Sequence, residues 1–177
     1  MNTRKIYKPK INISEKSKIK PIDQYAKNKI KTENYLKKKL KKNLISLRIS
    51  NVLGKRPLKN RRVAHDLFLD NFIKFKKKNK KIKVKNEFKD FISINHLCLV
   101  IKKLIKKDIY GVFNVSMSKK IYVSEITEWL SKTFYRKITF IKSSEDSFTL
   151  SNKKLVNRID INISKNQLKN FCKNLNI

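Results

Sequence analysis

The sequence has few of the residues that build phosphate loops, disulfides and tight turns. It holds two glycines in 177 residues, Gly54 and Gly111. No glycine-rich phosphate loop can be made from that pair. Prolines number three. Cys98 and Cys172 are too few for a disulfide framework, and there is no CxxC motif. Cys98 lies in an apolar run and is expected in the core. His65 and His96 stand alone, with no Cys or second His at ligand spacing, so no metal site is expected. No apolar run reaches transmembrane length. The N-terminus, MNTRKIYKPK, lacks the hydrophobic stretch of a signal peptide. A cytoplasmic protein with no membrane partner is the resulting expectation.

Acidic residues are also scarce, at 13 against 46 Lys and Arg, for a formal net charge of +33. Such an excess attracts polyanions and repels itself. The lysines are spread among many Asn and Ile residues along the whole chain, which reads as compositional background and a solvated basic surface. The densest run, KKKNKKIKVK at 76–85, is the best candidate for nonspecific polyanion binding. Hydrophobic residues reach 40%, with ten Phe. That suffices for a core, and the length fits one domain.

Strand and helix signals alternate, which predicts an α/β fold. Residues 1–20 read as a short extended piece and a polar loop. Pro21 opens a helix running to about Lys42, with Ile22, Tyr25, Ile30, Tyr35 and Leu36 as its apolar positions. LISLRIS, 44–50, reads as a buried strand. A turn at Gly54 follows. A helix is expected from about Arg62 to Lys78, with Val63, Leu67, Phe68, Phe72 and Phe75 at helical spacing. His65 is expected on its surface. Short strands are expected at 81–85 and 90–94, then a helix capped by Asn95 with His96 near its start. GVFNV, 111–115, is a strand. Residues 121–134 join a short strand to a helix carrying Ile126, Trp129 and Leu130. KITFI, 137–141, is a further strand. Ser164 caps a last helix with Leu168, Phe171 and Leu175 on its apolar side. Trp129 and the three Phe residues read as core, Glu33 as a structural salt-bridge residue, and Asp90 with Phe91 as a turn-ordering pair.

Within the first helix, Tyr25 and Lys29 stand at i and i+4, on one face. An ammonium beside a phenol favours the phenolate. Such a pairing makes a tyrosine a usable general acid or base. In so lysine-rich a chain YxxxK also arises by chance, as a packed Tyr beside a solvated Lys.

Five segments in order give the pair more weight. TRKIY at 3–7 is similar to a Ser/Thr-xxx-Tyr segment after a central strand. SEKSKIKPIDQYAKNKIKTE at 14–33 is similar to a loop, proline, YxxxK and helical glutamate. LRISNVLGKRP at 47–57 is similar to a strand ending in Asn near substrate. FKDFISINHLCLVI at 88–101 and GVFNVSMSKKIYVSEITEWL at 111–130 are similar to an Arg-Asp-Phe segment with its helix and to an "FNV…S…EI" unit. Together they resemble the C-terminal portion of the NAD-dependent epimerase/dehydratase family, extended short-chain dehydrogenases/reductases that modify sugar nucleotides. The resemblance runs nearly end to end.

The resemblance implies hydride transfer with NAD or NADP on a nucleotide-sugar. Tyr25 is the implied catalytic acid/base. Lys29 holds the nicotinamide ribose, so both residues contact the cofactor. Thr3 offers its hydroxyl to substrate and Tyr25, and Asn51 is a substrate-side polar group. Lys89 replaces a family arginine that binds nucleotide phosphate, keeping the charge but losing the bidentate fork. Ser116 and Ser118 stand where the family has glycines, making that turn irregular.

The family's glycine-rich first half has no counterpart here, since the chain starts two residues before Thr3. The expectation is therefore the C-terminal part of an extended Rossmann-fold dehydrogenase with its N-terminal βαβ dinucleotide-binding units missing. Residues 1–80 carry the remnant Rossmann domain with the YxxxK helix. Residues 81–177 are mainly a small α/β substrate-binding domain, with segments returning to the sheet. Strand 44–50 is expected to lose a neighbour and expose apolar surface. On that reading the protein is N-terminally truncated, inactive alone and doubtful in cofactor binding, or it works with a separately encoded N-terminal half. The alternative is a basic nucleic-acid or protein interaction module without catalysis.

Overall fold

The apolar run at 44–50 forms the middle of a parallel sheet. A computed structural model of the chain describes residues 1–54, 68–78 and 81–175. In chain order come β1 (Asn2–Thr3), a 3-10 turn (Arg4–Ile6), α1 (Gln24–Leu40), β2 (Ile45–Ile49), β3 (Asn51–Leu53), α2 (Phe68–Lys78), β4 (Ile82–Asn86), β5 (Phe88–Lys89), β6 (Phe91–Ser93) and α3 (Ile94–Lys106). Then follow β7 (Gly111–Val115), β8 (Ile121–Tyr122), α4 (Val123–Leu130), α5 (Lys132–Tyr135), β9 (Ile138–Lys142), α6 (Lys153–Val156) and α7 (Lys165–Lys173).

β1, β2 and β7 form a three-stranded sheet in that order, with both pairings parallel. The succession β1–α1–β2 and the run from β2 through α3 to β7 are complete βαβ units. The expectation that such units are missing is corrected by this topology. So is the bared strand: β2 has a partner on each side, and Leu47 is buried. Leu47, Ile92, Val100, Leu104, Phe113, Val115 and Leu155 pack together beside this sheet. Smaller pairings join β3 to β6 and β4 to β9 in parallel, and β5 to β8 antiparallel.

A second core gathers Leu53, Leu69, Phe72, Phe91, Met117, Ile126, Trp129, Phe134 and Leu168. Phe72 and Phe134 meet edge to face, their centroids 5.3 Å apart. The expected Phe stripe is only partly internal, because Phe75 is exposed. Val63, His65 and Leu67 lie outside the described residues, as does the side chain of Phe68.

Several local expectations shift. The cap of α3 is Ser93, not Asn95: its Oγ accepts the His96 N–H at 3.2 Å. The inward face of α3 carries Leu97, Val100 and Leu104, which leaves Cys98 exposed instead of in the core. On α1 the buried residues are Ala26 and Glu33, whereas Ile22, Tyr25 and Tyr35 are exposed. Ser164 caps α7 as expected, accepting the Gln167 N–H. Ser118 takes φ +60°, a left-handed backbone that explains why glycine suits this turn.

Candidate functional site

Parallel sheets present ligand sites beyond the carboxyl ends of their strands. Thr3 ends β1, paired with Ile49 near the end of β2, and Asn51 follows two residues later. The two residues thus reach the same end of the sheet. Thr3 is half-buried, and its hydroxyl accepts the Lys5 N–H at 3.3 Å, capping the 3-10 turn.

That turn also positions the start of α1. Lys5 Nζ donates to Asp23 Oδ2 at 2.9 Å, and the Ile22 N–H donates to the Lys5 carbonyl at 3.1 Å. Asp23 caps α1 through Oδ1, which accepts the Ala26 N–H at 2.7 Å. The Lys5 ammonium and the Ala26 N–H hold the Asp23 carboxyl below the usual range. Tyr25 follows two residues after this clasp, with 48% of its surface open. Lys29 is half-buried one turn on, its Nζ 5.5 Å from the Tyr25 ring centroid. The structure therefore brings together Tyr25, Lys29 and the Thr3 segment. Among the described residues no hydrogen bond joins Thr3 to Tyr25.

Lys89 is placed differently from a free phosphate ligand. Its Nζ lies 2.7 Å from Asp146 Oδ2 and 3.2 Å from Glu87 Oε2. Asp146 also accepts Arg4 Nη2 on both oxygens at 2.5 Å. Arg4 is buried, and its guanidinium lies 4.2 Å from the Phe148 ring centroid. Burial alone raises the Asp146 carboxyl, but Arg4 and Lys89 outweigh it and hold it low. Asn51 is half-buried, its N–H donating to the Asp90 carbonyl at 3.2 Å.

Asp90 has no exposed surface. Its carboxyl accepts the N–H groups of Met117, Ser118 and Leu150 at 3.0–3.1 Å. Burial outweighs these donors and pushes the carboxyl up to about 7. The group pins the end of β7 to the 147–151 segment.

Glu33 is the structural salt-bridge residue the sequence led one to expect, but the buried polar network it centres under α1 went unread. Glu33 accepts from Asn2, Lys37, Ser46 and Arg48, and Arg48 also donates to the Tyr7 hydroxyl. One signal was available: Arg48 interrupts an apolar strand, so it demands an acidic partner. Arg4 and Asp146 gave no local signal.

A polar cavity of about 340 Å³ lies elsewhere, between Ser93, His96, Gln167 and Phe171. An apolar one of about 170 Å³ is lined by Phe72, Phe75, Val84 and Phe134. Neither is lined by the five candidate residues. Among the described residues no group of three His, Cys, Asp or Glu is placed to hold a metal. No described helix is long and apolar enough to cross a membrane.

No protein-family model matches this chain, and no curated protein matches it. Solved structures do. The dTDP-glucose 4,6-dehydratase of Bacillus anthracis, in complex with NAD, superposes with a TM-score of 0.76 at 14% identity, over 98% of this chain and 58% of that one. The UDP-N-acetylglucosamine 4-epimerase of Methanobrevibacter ruminantium, in complex with UDP-N-acetylmuramic acid, gives 0.76 at 18%, over 97% and 59%. The UDP-glucuronic acid 4-epimerase of Bacillus cereus, in complex with NAD, gives 0.77 at 19%, over 97% and 57%. The likeness is one of fold, and this chain spans under three fifths of those structures' lengths.

These superpositions correct the truncation reading. Nearly the whole chain, 97–98% of it, follows the fold of those enzymes, with βαβ units included. The expectations of a mere C-terminal remnant, of an inactive truncated protein and of doubtful cofactor binding, which rested on absent βαβ units and an absent glycine-rich half, are corrected by this near-complete match in fold. Two of these three structures are in complex with NAD. Nothing in the fold or the superpositions supports a separately encoded N-terminal half.

Proposed function

We propose that this chain carries out proton transfer in NAD(P)-dependent chemistry on a nucleotide-sugar. The observation that carries the reading is the Tyr25–Lys29 face of α1, clasped by Lys5 and Asp23 to the carboxyl end of β1. Tyr25 exchanges a proton with a sugar hydroxyl, and its open surface admits a substrate. Lys29 supplies positive charge beside the phenol and donors for a ribose. Thr3 and Asn51 sit at adjacent strand ends, suited to orienting the sugar. Lys89 contributes charge on the nucleotide side, balanced by Glu87 and Asp146.

The groups present fit the nicotinamide-ribose end of the cofactor. Neither glycine is a phosphate cradle: a Cβ on Gly54 would meet Ile94 at 2.9 Å, and Gly111 packs near Phe113 and Lys154. Within the described residues this chain's share in holding the cofactor falls to Tyr25 and Lys29. NAD(P), when bound, accepts and returns the hydride.

The test is conversion of UDP- and dTDP-hexoses by the full chain with added NAD(P), followed by chromatography of the sugar nucleotides. Tyr25→Phe is expected to lower turnover by about 10²–10⁴-fold with an unchanged circular dichroism spectrum. Undiminished turnover in that variant would sink the reading.

A further inference from the structure

The outward face of α1 is cationic without compensation. The helix carries six lysines between Gln24 and Leu40, and its one acid, Glu33, is buried beneath it against Arg48 and Lys37. Lys27, Lys31, Tyr35 and Lys38 follow one another at steps of four, four and three, so they form a single stripe. At helical rise the stripe is about 16 Å long. Lys27, Lys31 and Lys38 are exposed and make no ion pair among the described residues. Tyr35 is 60% exposed in the middle of the stripe, with Lys39 Nζ 6.0 Å from its ring centroid. By contrast, Lys85 in the 76–85 run is paired with Glu145.

We propose that this stripe docks single-stranded nucleic acid. A row of lysines follows a phosphate backbone, and an exposed aromatic ring among them gives a base a stacking surface. The same charge argues against a second copy of this chain, which would set lysine against lysine. A membrane surface is disfavoured too, because an interfacial helix buries a broad apolar face in lipid. The buried face of α1 is already engaged with its own protein through Ala26 and Glu33.

The experiment is fluorescence anisotropy of the full chain with a labelled oligothymidylate of about 16 nucleotides. The triple variant Lys27→Gln/Lys31→Gln/Lys38→Gln is compared with Lys102→Gln/Lys106→Gln/Lys173→Gln, which removes equal charge from exposed sites on α3 and α7. The α1 triple is expected to weaken binding at least tenfold more than the control triple. It should also flatten the log K against log salt slope by about 2. Tyr35→Ala is expected to weaken binding at least about fivefold. Equal losses in the two triples would show diffuse charge and overturn the proposal. An unaffected Tyr35→Ala, or equally tight duplex binding, overturns it as a single-strand site. So does phosphatidylserine-vesicle binding with the same dependence on the three lysines, or self-association abolished by the α1 triple.

Discussion

Glu33 and Arg48 form an ion pair closed to solvent: Oε1 lies 2.6 Å from Nη2, and the side chains are 2% and 3% exposed. The pair fastens α1 to β2 and so fixes the height at which Tyr25 and Lys29 sit on the sheet. Removing one member leaves the other buried and uncompensated. Glu33→Ala is therefore expected to destabilise the fold by about 3–5 kcal/mol, read as a lower urea midpoint.

Two carboxyls give opposite pH dependence. Burial raises Glu33, but donors from Arg48, Lys37 and Asn2 overcome it and hold the group at about 2. Its contribution is present above the unfolded value near 4.5 and is lost as pH falls towards 2. Asp90 is held at about 7, above its ordinary 3.8. Between those values the folded state keeps a proton that the unfolded chain has released, so that contribution fades as pH rises towards 7. Urea midpoints across pH should show an acid-side loss that Glu33→Gln removes. They should also show a decline towards neutrality that Asp90→Asn flattens. A neutral-side decline that persists in Asp90→Asn would contradict the second assignment.

Asp146 joins Arg4 to Lys89. Asp146→Asn leaves buried Arg4 without its charged acceptor, while Lys89 keeps Glu87. A loss of about 1–3 kcal/mol is expected. Lys85→Gln breaks only the exposed pair with Glu145 and should leave the urea midpoint nearly unchanged.

Ser118 occupies a left-handed backbone while its N–H serves Asp90. Glycine takes that backbone without strain. Ser118→Gly should stabilise by roughly 1 kcal/mol, visible as a higher melting temperature. A lower one would show that the Ser118 side chain matters more than its backbone.

Elements with strong local patterns were legible in the sequence. GVFNV became β7 at the bounds read from its apolar run, and Ser164 caps its helix through a hydroxyl that accepts the Gln167 N–H. Tyr25 and Lys29 were legible as a pair because helical spacing is local. Burial was less so. Cys98 was misplaced because an apolar run on a helix still has an outer face, and Tyr35 because α1 is anchored by Ala26 and an ion pair instead of an apolar stripe. The Lys89–Asp146–Arg4 linkage depends on a meeting between the two ends of the chain, for which no spacing rule exists. The supposed gap in the sheet failed for a related reason. β1, at two residues, is too short to announce itself as the strand that completes β2.

The pairing of β2 with β7 runs from Ile45 with Gly111 to Ile49 with Val115. Between them in sequence lie the four strands β3 to β6 and, among the described residues, the helices α2 and α3. During refolding α1 can form on a timescale of about 0.1–1 μs, but the central sheet must wait for a long loop to close. Helical signal should thus return well before β7 closes onto β2, and the central sheet is completed last.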